Sequence, residues 1–269
     1  METLGHHSAE LLALRELTTP DQRAERGLFC FEGITLLAEA HRSGTPIEAI
    51  YATQAAYERE ALLAELARAG TPVKLIEERS VKRLSEVQSP SGIFAVAPLK
   101  LAEPTAILGG GGLALLLADL NDPGNAGTLL RAAEAFGASG VLLGDLGVDP
   151  YHSKLVRAAM GAHFRLPLAR IAPKQLAGLL AEKGVATIGL SAAGAPIRDA
   201  PHDGPRLLAV GQERHGLGRW ESLCTQLAAI PMPGASESLN AGVAGAIALY
   251  ELTSREGAEA RGRGGLSRE

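Results

Sequence analysis

The 269-residue sequence predicts an α/β protein in two parts, a small α/β domain followed by a larger one built on a mostly parallel sheet. Three observations carry this. Strand and helix signals alternate along the chain, the pattern of strands joined by helical crossovers. Residues 98–112, PLKLAEPTAILGGGG, break the alternation with two prolines and four consecutive glycines, a composition that disfavours regular structure and marks a linker. Beyond it the strand candidates are continuous apolar runs such as LALLL, as expected for strands of a parallel sheet covered on both faces. The expected divisions are a domain over 8–97, the linker over 98–112, a second domain over 113–253 and a flexible tail over 254–269, where REGAEARGRGGLSRE is polar and Gly-rich.

In the first domain SAELLALREL reads as a helix, LFCFEG as a strand, ITLLAEAHRSG as a helix and PIEAIYAT as a strand. AAYEREALLAELARAG carries apolar residues at helical spacing up to Gly70; PVKLIE is then a strand, VKRLSEV a short helix and SGIFAVAP a strand. In the second domain LALLLADL is a strand, NDPGNAGTLLRAAEAFG a turn and helix, SGVLLG a strand and YHSKLVRAAMGA a helix, with further strand and helix pairs after it.

Composition narrows the function classes. Aromatic residues make up 4% of the chain, too few for a sheet that reads RNA by stacking bases. A net charge of -4 excludes a broadly basic coat, so any nucleic-acid site is a local patch. Cys30 and Cys224 lack CxxC or Cys/His ligand spacing, so neither a structural metal nor a disulfide framework is expected, and a reducing cytoplasm fits best. Every apolar run is too short to span a bilayer, and no membrane association is expected.

Three strand exits hold the residues with chemistry. The first, NDPGNAGTLLRAAEAFG at 121–137, matches neither the dinucleotide nor the phosphate-loop pattern. Asp122-Pro123-Gly124 makes a turn, Asn125 is the expected helix cap, and Leu129, Leu130, Ala133 and Phe136 share one face until Gly137. Arg131 is off that face, about 9 Å along the axis from Asn125. Its side chain leans towards the N-terminus, so its guanidinium either meets the Asn125 amide in one polar pocket or is simply solvated.

The second exit, LLAVGQERHGLG at 207–218, is a buried strand running into glycines around a lone carboxylate, Glu213. Glycines there let backbone approach a ligand, and the carboxylate can anchor an arginine or a hydroxyl. His215 reads as a surface loop residue rather than a base. The third, AAIPMPGASESLNAGVAGAIALYEL at 228–252, is a strand, a loop with Ser236 and Ser238, and a helix containing Gly242 and Gly245. Either serine can cap that helix, with Asn240 in its first turn. An interior glycine costs a helix about 1 kcal/mol relative to alanine. With Ala241, Ala244, Ala246 and Ala248, these glycines indicate a helix packed unusually close to other backbone.

In order, spacing and strand-to-helix position these segments resemble the signature motifs of the SpoU/TrmH family of RNA 2'-O-ribose methyltransferases, within the knotted SPOUT class. RAAMGAHFRLP at 157–167 is similar to the family's intermediate signature, and FCFEGITLLAEA and SPSGIFAVA resemble, more weakly, its substrate-binding domain. The resemblance implies a knotted parallel-sheet SPOUT methyltransferase domain preceded by a small α/β substrate-binding domain. It implies methyl transfer from S-adenosylmethionine to a ribose 2'-hydroxyl by a homodimer, with the site near the interface and no metal. Ribosomal RNA is the preferred substrate because the N-terminal domain adds surface for a large target; transfer RNA, and a catalytically silent RNA-binding protein of the same fold, are the alternatives. Leu190, Gly211, Ile230, Met232 and Leu239 match positions that hold the donor. Asn125, Arg131, Glu213, Ser238 and Asn240 match catalytic and site-forming positions. Gln212, Arg214 and His215 depart from residues common in relatives, as do Ala241 and Gly242.

RNA also needs phosphate contacts. Residues 151–174 contain no Asp or Glu but hold Lys154, Arg157, Arg165, Arg170 and Lys174, and RSVKR at 79–83 is a second basic cluster. Lys154, Arg157, Arg165, Arg79 and Arg83 are the expected RNA contacts. A Rossmann-type nucleotide enzyme is the rival reading of Gly109–Gly112, but these glycines precede the strand rather than open a helix after it.

Overall fold

The computed structural model describes residues 3–234 and 238–263, from 255 onward as backbone only. Ser236 lies outside the described residues, as do 264–269 of the expected tail. The chain opens with β1 (Thr3–Leu4), α1 (Ala9–Glu16), α2 (Pro20–Arg26), β2 (Leu28–Glu32), α3 (Ile34–Arg42), β3 (Ala49–Thr53), α4 (Gln54–Arg59) and α5 (Ala61–Arg68). It continues through β4 (Val73–Ile76), α6 (Glu78–Leu84), β5 (Ile93–Pro98), α7 (Pro104–Leu108), β6 (Leu113–Leu117), α8 (Pro123–Ala135), β7 (Val141–Gly144) and α9 (Ser153–Ala158). The last elements are β8 (Leu168–Ile171), α10 (Pro173–Lys183), β9 (Ala186–Pro196), β10 (Arg206–Val210), β11 (Gln226–Ala229) and α11 (Ala241–Arg263).

Two units separate. One is the chain up to Lys100 together with Tyr151–Arg165; the other is Leu101–Pro150 together with the chain from Leu166 onward. The first holds a five-stranded mixed sheet in the order β1-β4-β3-β5-β2, in which β5 runs antiparallel to both neighbours. Its core gathers Phe29, Phe31, Leu37, Ile50, Leu63 and Ile93. Tyr151, Val156 and Phe164 join that core, with Tyr151 4.6 Å from Phe29 and Phe164 5.2 Å from Phe31, ring to ring. Helix α9 therefore belongs to this unit although it follows β7 in sequence; helical spacing reports an apolar face but not which core receives it. AAYEREALLAELARAG forms two helices, because Glu60 takes extended backbone (φ −106°, ψ 102°) and each half buries its own residues, Ala56 in α4 and Leu63 and Leu66 in α5.

The second unit is a six-stranded, wholly parallel sheet in the order β11-β9-β10-β6-β7-β8. All residues of β6 and β10 are buried. Successive strand side chains point to opposite faces, so this burial means cover on both sides. Part of the expected linker is ordered here: α7 starts at Pro104, buries Ile107 and Leu108, and Ala102 N–H donates to the Leu168 carbonyl at 2.7 Å.

Helix α11 packs on α8 through its small residues. A Cβ at Gly245 would lie 2.3 Å from Leu129 Cδ2 and 3.1 Å from Val210 Cγ2. The helix runs to Arg263, into the stretch expected to lack regular structure; Ala, Glu and Arg are good helix formers, and extending a helix costs far less than starting one. We expect Gly245→Val to destabilise the protein by about 1–3 kcal/mol through overpacking, read as a lower urea midpoint with an unchanged slope.

Candidate active site

The first strand exit is built by a cap one turn earlier than the sequence suggests. Asp122, not Asn125, is the N-cap of α8: its carboxylate accepts from Asn125 N–H at 2.7 Å, and Pro123 occupies the first helical position. Proline there has no N–H to lose and a backbone angle already suited to the helix, so the cap falls on the residue before it. The Asn125 side chain is thereby released for tertiary contacts. Its Oδ1 accepts from Asn240 Nδ2 at 2.8 Å, and its Nδ2 donates to Glu213 Oε1.

Asn240 is itself the cap of α11, accepting from Val243 N–H at 3.2 Å, so Ser238, two residues before it, does not fill that role. Gly242 lets the helices approach, since a Cβ there would stand 3.1 Å from Asn240 Oδ1 and 3.3 Å from Asn125 Oδ1.

The second exit doubles back on itself. Gln212 and Gly216 exchange two backbone hydrogen bonds, each 2.9 Å, and a Cβ at Gly211 would sit 2.0 Å from the Gly216 carbonyl oxygen. Only glycine fits at 211. Beside this loop is a cleft of about 300 Å³, lined by Leu190, Gly211, Ile230, Met232 and Leu239 together with Ser238, Glu221, Ala241 and Ala244. Its volume is at the lower end of small-molecule sites, and it combines apolar walls with a few polar groups, as such sites do. A second, polar cleft of about 460 Å³ is lined by Asp122, Asn125, Gln212, Glu213, Arg214, His215 and Asn240. The two share Gln212 and Glu213. Both lie outside the carboxyl ends of parallel strands, where open α/β sheets bind ligands.

All five expected donor residues thus line one cleft, and Asn125, Glu213 and Asn240 are hydrogen-bonded together beside it. Arg131 is not brought in within this chain. It is exposed on α8 and lines neither cleft. Six residues turn a helix by about 600°, so Arg131 points about 120° away from Asn125 around the axis.

Sequence reasoning missed a group that holds the second exit in place. Asp119, just after β6, accepts from Arg219 Nε at 2.7 Å and Nη2 at 3.0 Å and from Trp220 Nε1 at 2.8 Å, while its carbonyl accepts from Gln212 Nε2 at 2.6 Å. Burial pushes its carboxyl up, but Arg219 and Trp220 outweigh this and hold it below the ordinary carboxylate range. Arg219 also pairs with Asp145. Glu221, a second carboxylate beside Glu213 in the smaller cleft, was missed too. No local pattern marks these residues, because their partners are about a hundred positions away.

The expected RNA contacts are partly engaged by carboxylates. Arg165 Nη1 lies 2.5 Å from Glu39, Arg157 4.0 Å from Glu86, and Arg79 forks onto Glu77 at 2.6 and 3.0 Å. Arg83 meets His6 at 3.1 Å, and Lys154 is exposed. Arg170 is spent on carbonyls of Asp145, Gly147 and Val148 at 3.2 to 3.3 Å. Among the described residues no cluster of three or more His, Cys, Asp or Glu could hold a metal ion, and no helix is long and apolar enough to cross a membrane.

Comparison with known proteins agrees with this geometry. The family described as SpoU rRNA Methylase matches residues 112–250, and an MRM3-like substrate binding domain matches residues 10–95. The chain is 30% identical over 243 residues to the 23S rRNA (guanosine(2553)-2'-O)-methyltransferase RlmP of Bacillus subtilis, covering 88% of this chain and 93% of that one. The solved structure of the SpoU methyltransferase AviRb from Streptomyces viridochromogenes, in complex with AdoMet, superposes with a TM-score of 0.83 at 27% identity, covering 93% of this chain and 98% of that one. An AdoMet-bound rRNA methyltransferase from Sinorhizobium meliloti superposes with a TM-score of 0.82 at 26% identity, covering 94% and 98%. With all three strand exits meeting through Asn125, Glu213 and Asn240 beside a cleft lined by the second and third, and with that match across more than half its length, the chain belongs to the SpoU rRNA methylase family.

Proposed function

We propose that this protein transfers a methyl group from S-adenosylmethionine to a ribose 2'-hydroxyl of ribosomal RNA. The observation that carries the reading is the junction of two clefts, one largely apolar and lined by Leu190, Gly211, Ile230, Met232 and Leu239, the other polar and lined by Asn125, Glu213 and Asn240. The first fits the donor. Ala241 and Ala244 keep it open, Gly211 presents backbone, and Glu221 offers a carboxylate for hydroxyl or ammonium groups. Bound there, S-adenosylmethionine supplies a sulfonium methyl, whose positive charge is lost as the new carbon–oxygen bond forms. The protein's share is to exclude water and to align the acceptor hydroxyl at about 3 Å. Asn125 and Asn240, locked to each other, hold the acceptor side; Glu213 orients the Asn125 amide, and Ser238 borders both the donor and the third exit.

Arg131 completes the site from a second copy of the chain. On α11 the residues Val243, Ile247 and Tyr250, with Leu239 just before the helix, form an exposed apolar stripe, with Val243 47% and Tyr250 56% exposed. Tyr250 packs on Phe136, the C-terminal cap of α8, the helix that carries Arg131. A homodimer sealed along this stripe buries it and brings Arg131 of one subunit to the cleft of the other. A guanidinium stays protonated at any working pH, so Arg131 orients the acceptor and stabilises developing oxyanion charge rather than taking the proton, which leaves to water. The small residues of α11, which let it pass close to α8, also support placing the chain in the knotted class.

Lys154, Arg157, Arg165, Arg79 and Arg83 provide phosphate contacts in the N-terminal unit. Where a carboxylate holds one of them, RNA phosphate exchanges for it. The substrate and the two unpaired cysteines, whose thiols burial pushes up to about 12 (Cys30) and about 11 (Cys224), fit a reducing cytoplasm.

Incubation with labelled S-adenosylmethionine and ribosomal RNA from cells lacking the protein is expected to place label in alkali-resistant dinucleotides, since a 2'-O-methyl blocks cleavage. RNA binding without transfer would make it a silent binder, and label confined to transfer RNA would replace the substrate. Gly211→Ala is expected to weaken S-adenosylhomocysteine binding at least about tenfold, or about 1.4 kcal/mol, by calorimetry. Arg131→Lys is expected to lower kcat by roughly a hundredfold with little change in donor KM, as for loss of one transition-state donor. Mixing inactive Arg131→Ala and Asn125→Ala subunits is expected to restore about a quarter of wild-type activity, because half of the dimers carry one intact shared site; no recovery would place Arg131 in its own subunit's site.

A further inference from the structure

The loop that walls the donor cleft has little core of its own. Between Gly211 and Gly218 only Leu217 is buried. Apart from the Gln212–Gly216 backbone pair, its shape is set by Asp119. This residue has a positive φ of 53°, which a non-glycine residue keeps only where its surroundings fix it. Three side chains from residues 212–220 converge on it: the Arg219 fork and the Trp220 indole on its carboxylate, and the Gln212 amide on its carbonyl. Leu146 N–H adds a fourth donor at 3.3 Å, from the segment after β7. Arg219 also lies over the Trp220 ring, 5.2 Å from its centre. Gly144 at the end of β7 makes the space, since a Cβ there would come within 2.3 Å of Asp119 Oδ1 and 2.9 Å of Trp220 Cζ2. Asp119 itself lines neither cleft.

We propose that Asp119 is a positioning residue for the methyl donor: by gathering Gln212, Arg219 and Trp220 it fixes the 211–221 segment in the shape that binds the nucleoside, without touching it. The inference rests on the donor occupying the cleft lined by Gly211 and Leu239. Ligand affinity then depends on Asp119 because an unfixed loop must be ordered at the moment of binding. At saturating donor, acceptor binding and the chemical step do not, since Asn125 and Asn240 hold each other from α8 and α11 and the bound donor itself orders the segment that carries Glu213.

Asp119→Asn keeps size and tolerates the same backbone conformation, but it cannot accept the arginine fork on two equivalent charged oxygens. The expected result is a rise of about tenfold in donor KM and in the Kd of S-adenosylhomocysteine, with RNA KM and kcat at saturating donor within about twofold of wild type. Arg219→Gln is expected to do the same, and the double variant no more, because both remove one network. Ala244→Phe, which fills the cleft, is the control and is expected to abolish donor binding. Wild-type donor affinity in Asp119→Asn with binding lost in Ala244→Phe overturns the inference alone. Unimpaired donor binding in Ala244→Phe overturns the cleft assignment and the inference together. An equal loss across donor KM, RNA KM and kcat, tracking a lower melting temperature, reduces Asp119 to a structural role; if Asp119→Asn does not fold, Arg219→Gln carries the same comparison.

Discussion

The site depends on how closely α11 approaches α8. Gly242 and Gly245 remove the side chains that would hold the two helices apart, and their places are taken by Asn125 Oδ1 on one turn and Leu129 on the next. That approach lets Asn240 at the head of α11 donate to Asn125 near the head of α8, and Asn125 in turn hold Glu213. The contacts span 115 and 88 residues of sequence. Each neutral hydrogen bond contributes only about 1 kcal/mol net, and somewhat more where a charged group takes part. The arrangement is therefore kept by helix packing rather than by the polar contacts themselves. A helix with two interior glycines gives up about 2 kcal/mol of intrinsic preference, and burial against Leu129 and Val210 is what offsets it.

The two clefts divide the chemistry by polarity. A smaller, largely apolar cleft lies beside a polar one furnished by Asp122, Asn125, Glu213 and Asn240. Glu213 and Gln212 line both, so the double-backed loop is where the two clefts join. That loop is rigid at its roots and exposed at its tip. Gly211 is fixed by backbone contact, Leu217 by burial and Asp119 by charge, while Arg214 and His215 stay exposed. Function placed on a loop anchored to a rigid sheet is a common solution, because the loop can vary while the anchor keeps geometry.

Much of the second unit was legible in the chain. The apolar runs of β6, β7 and β10 gave the parallel sheet, the interior glycines of α11 announced a close approach, and five donor-side residues fall in one cleft. What local reading missed was long-range choice. Pro123 moved the cap of α8 to Asp122, a competition between two capping residues three positions apart that only the first-turn geometry decides. Asp119 has no signature, because its meaning lies in Arg219 and Trp220. For Arg131 the sequence leaves two readings, beside Asn125 or solvated, and the side chain is exposed on α8 and lines neither cleft. Helix α9 shows the same limit, since amphipathic spacing cannot say that Tyr151 and Phe164 pack on Phe29 and Phe31.

A crystal structure grown with S-adenosylhomocysteine tests the central arrangement most directly. The account requires the nucleoside between residues 211–217 and 230–244, its sulfur facing the Asn125–Asn240 pair, with Arg131 of the second subunit within reach of the space between them. A ligand bound elsewhere, or an Arg131 remote from that space in both subunits, would contradict it.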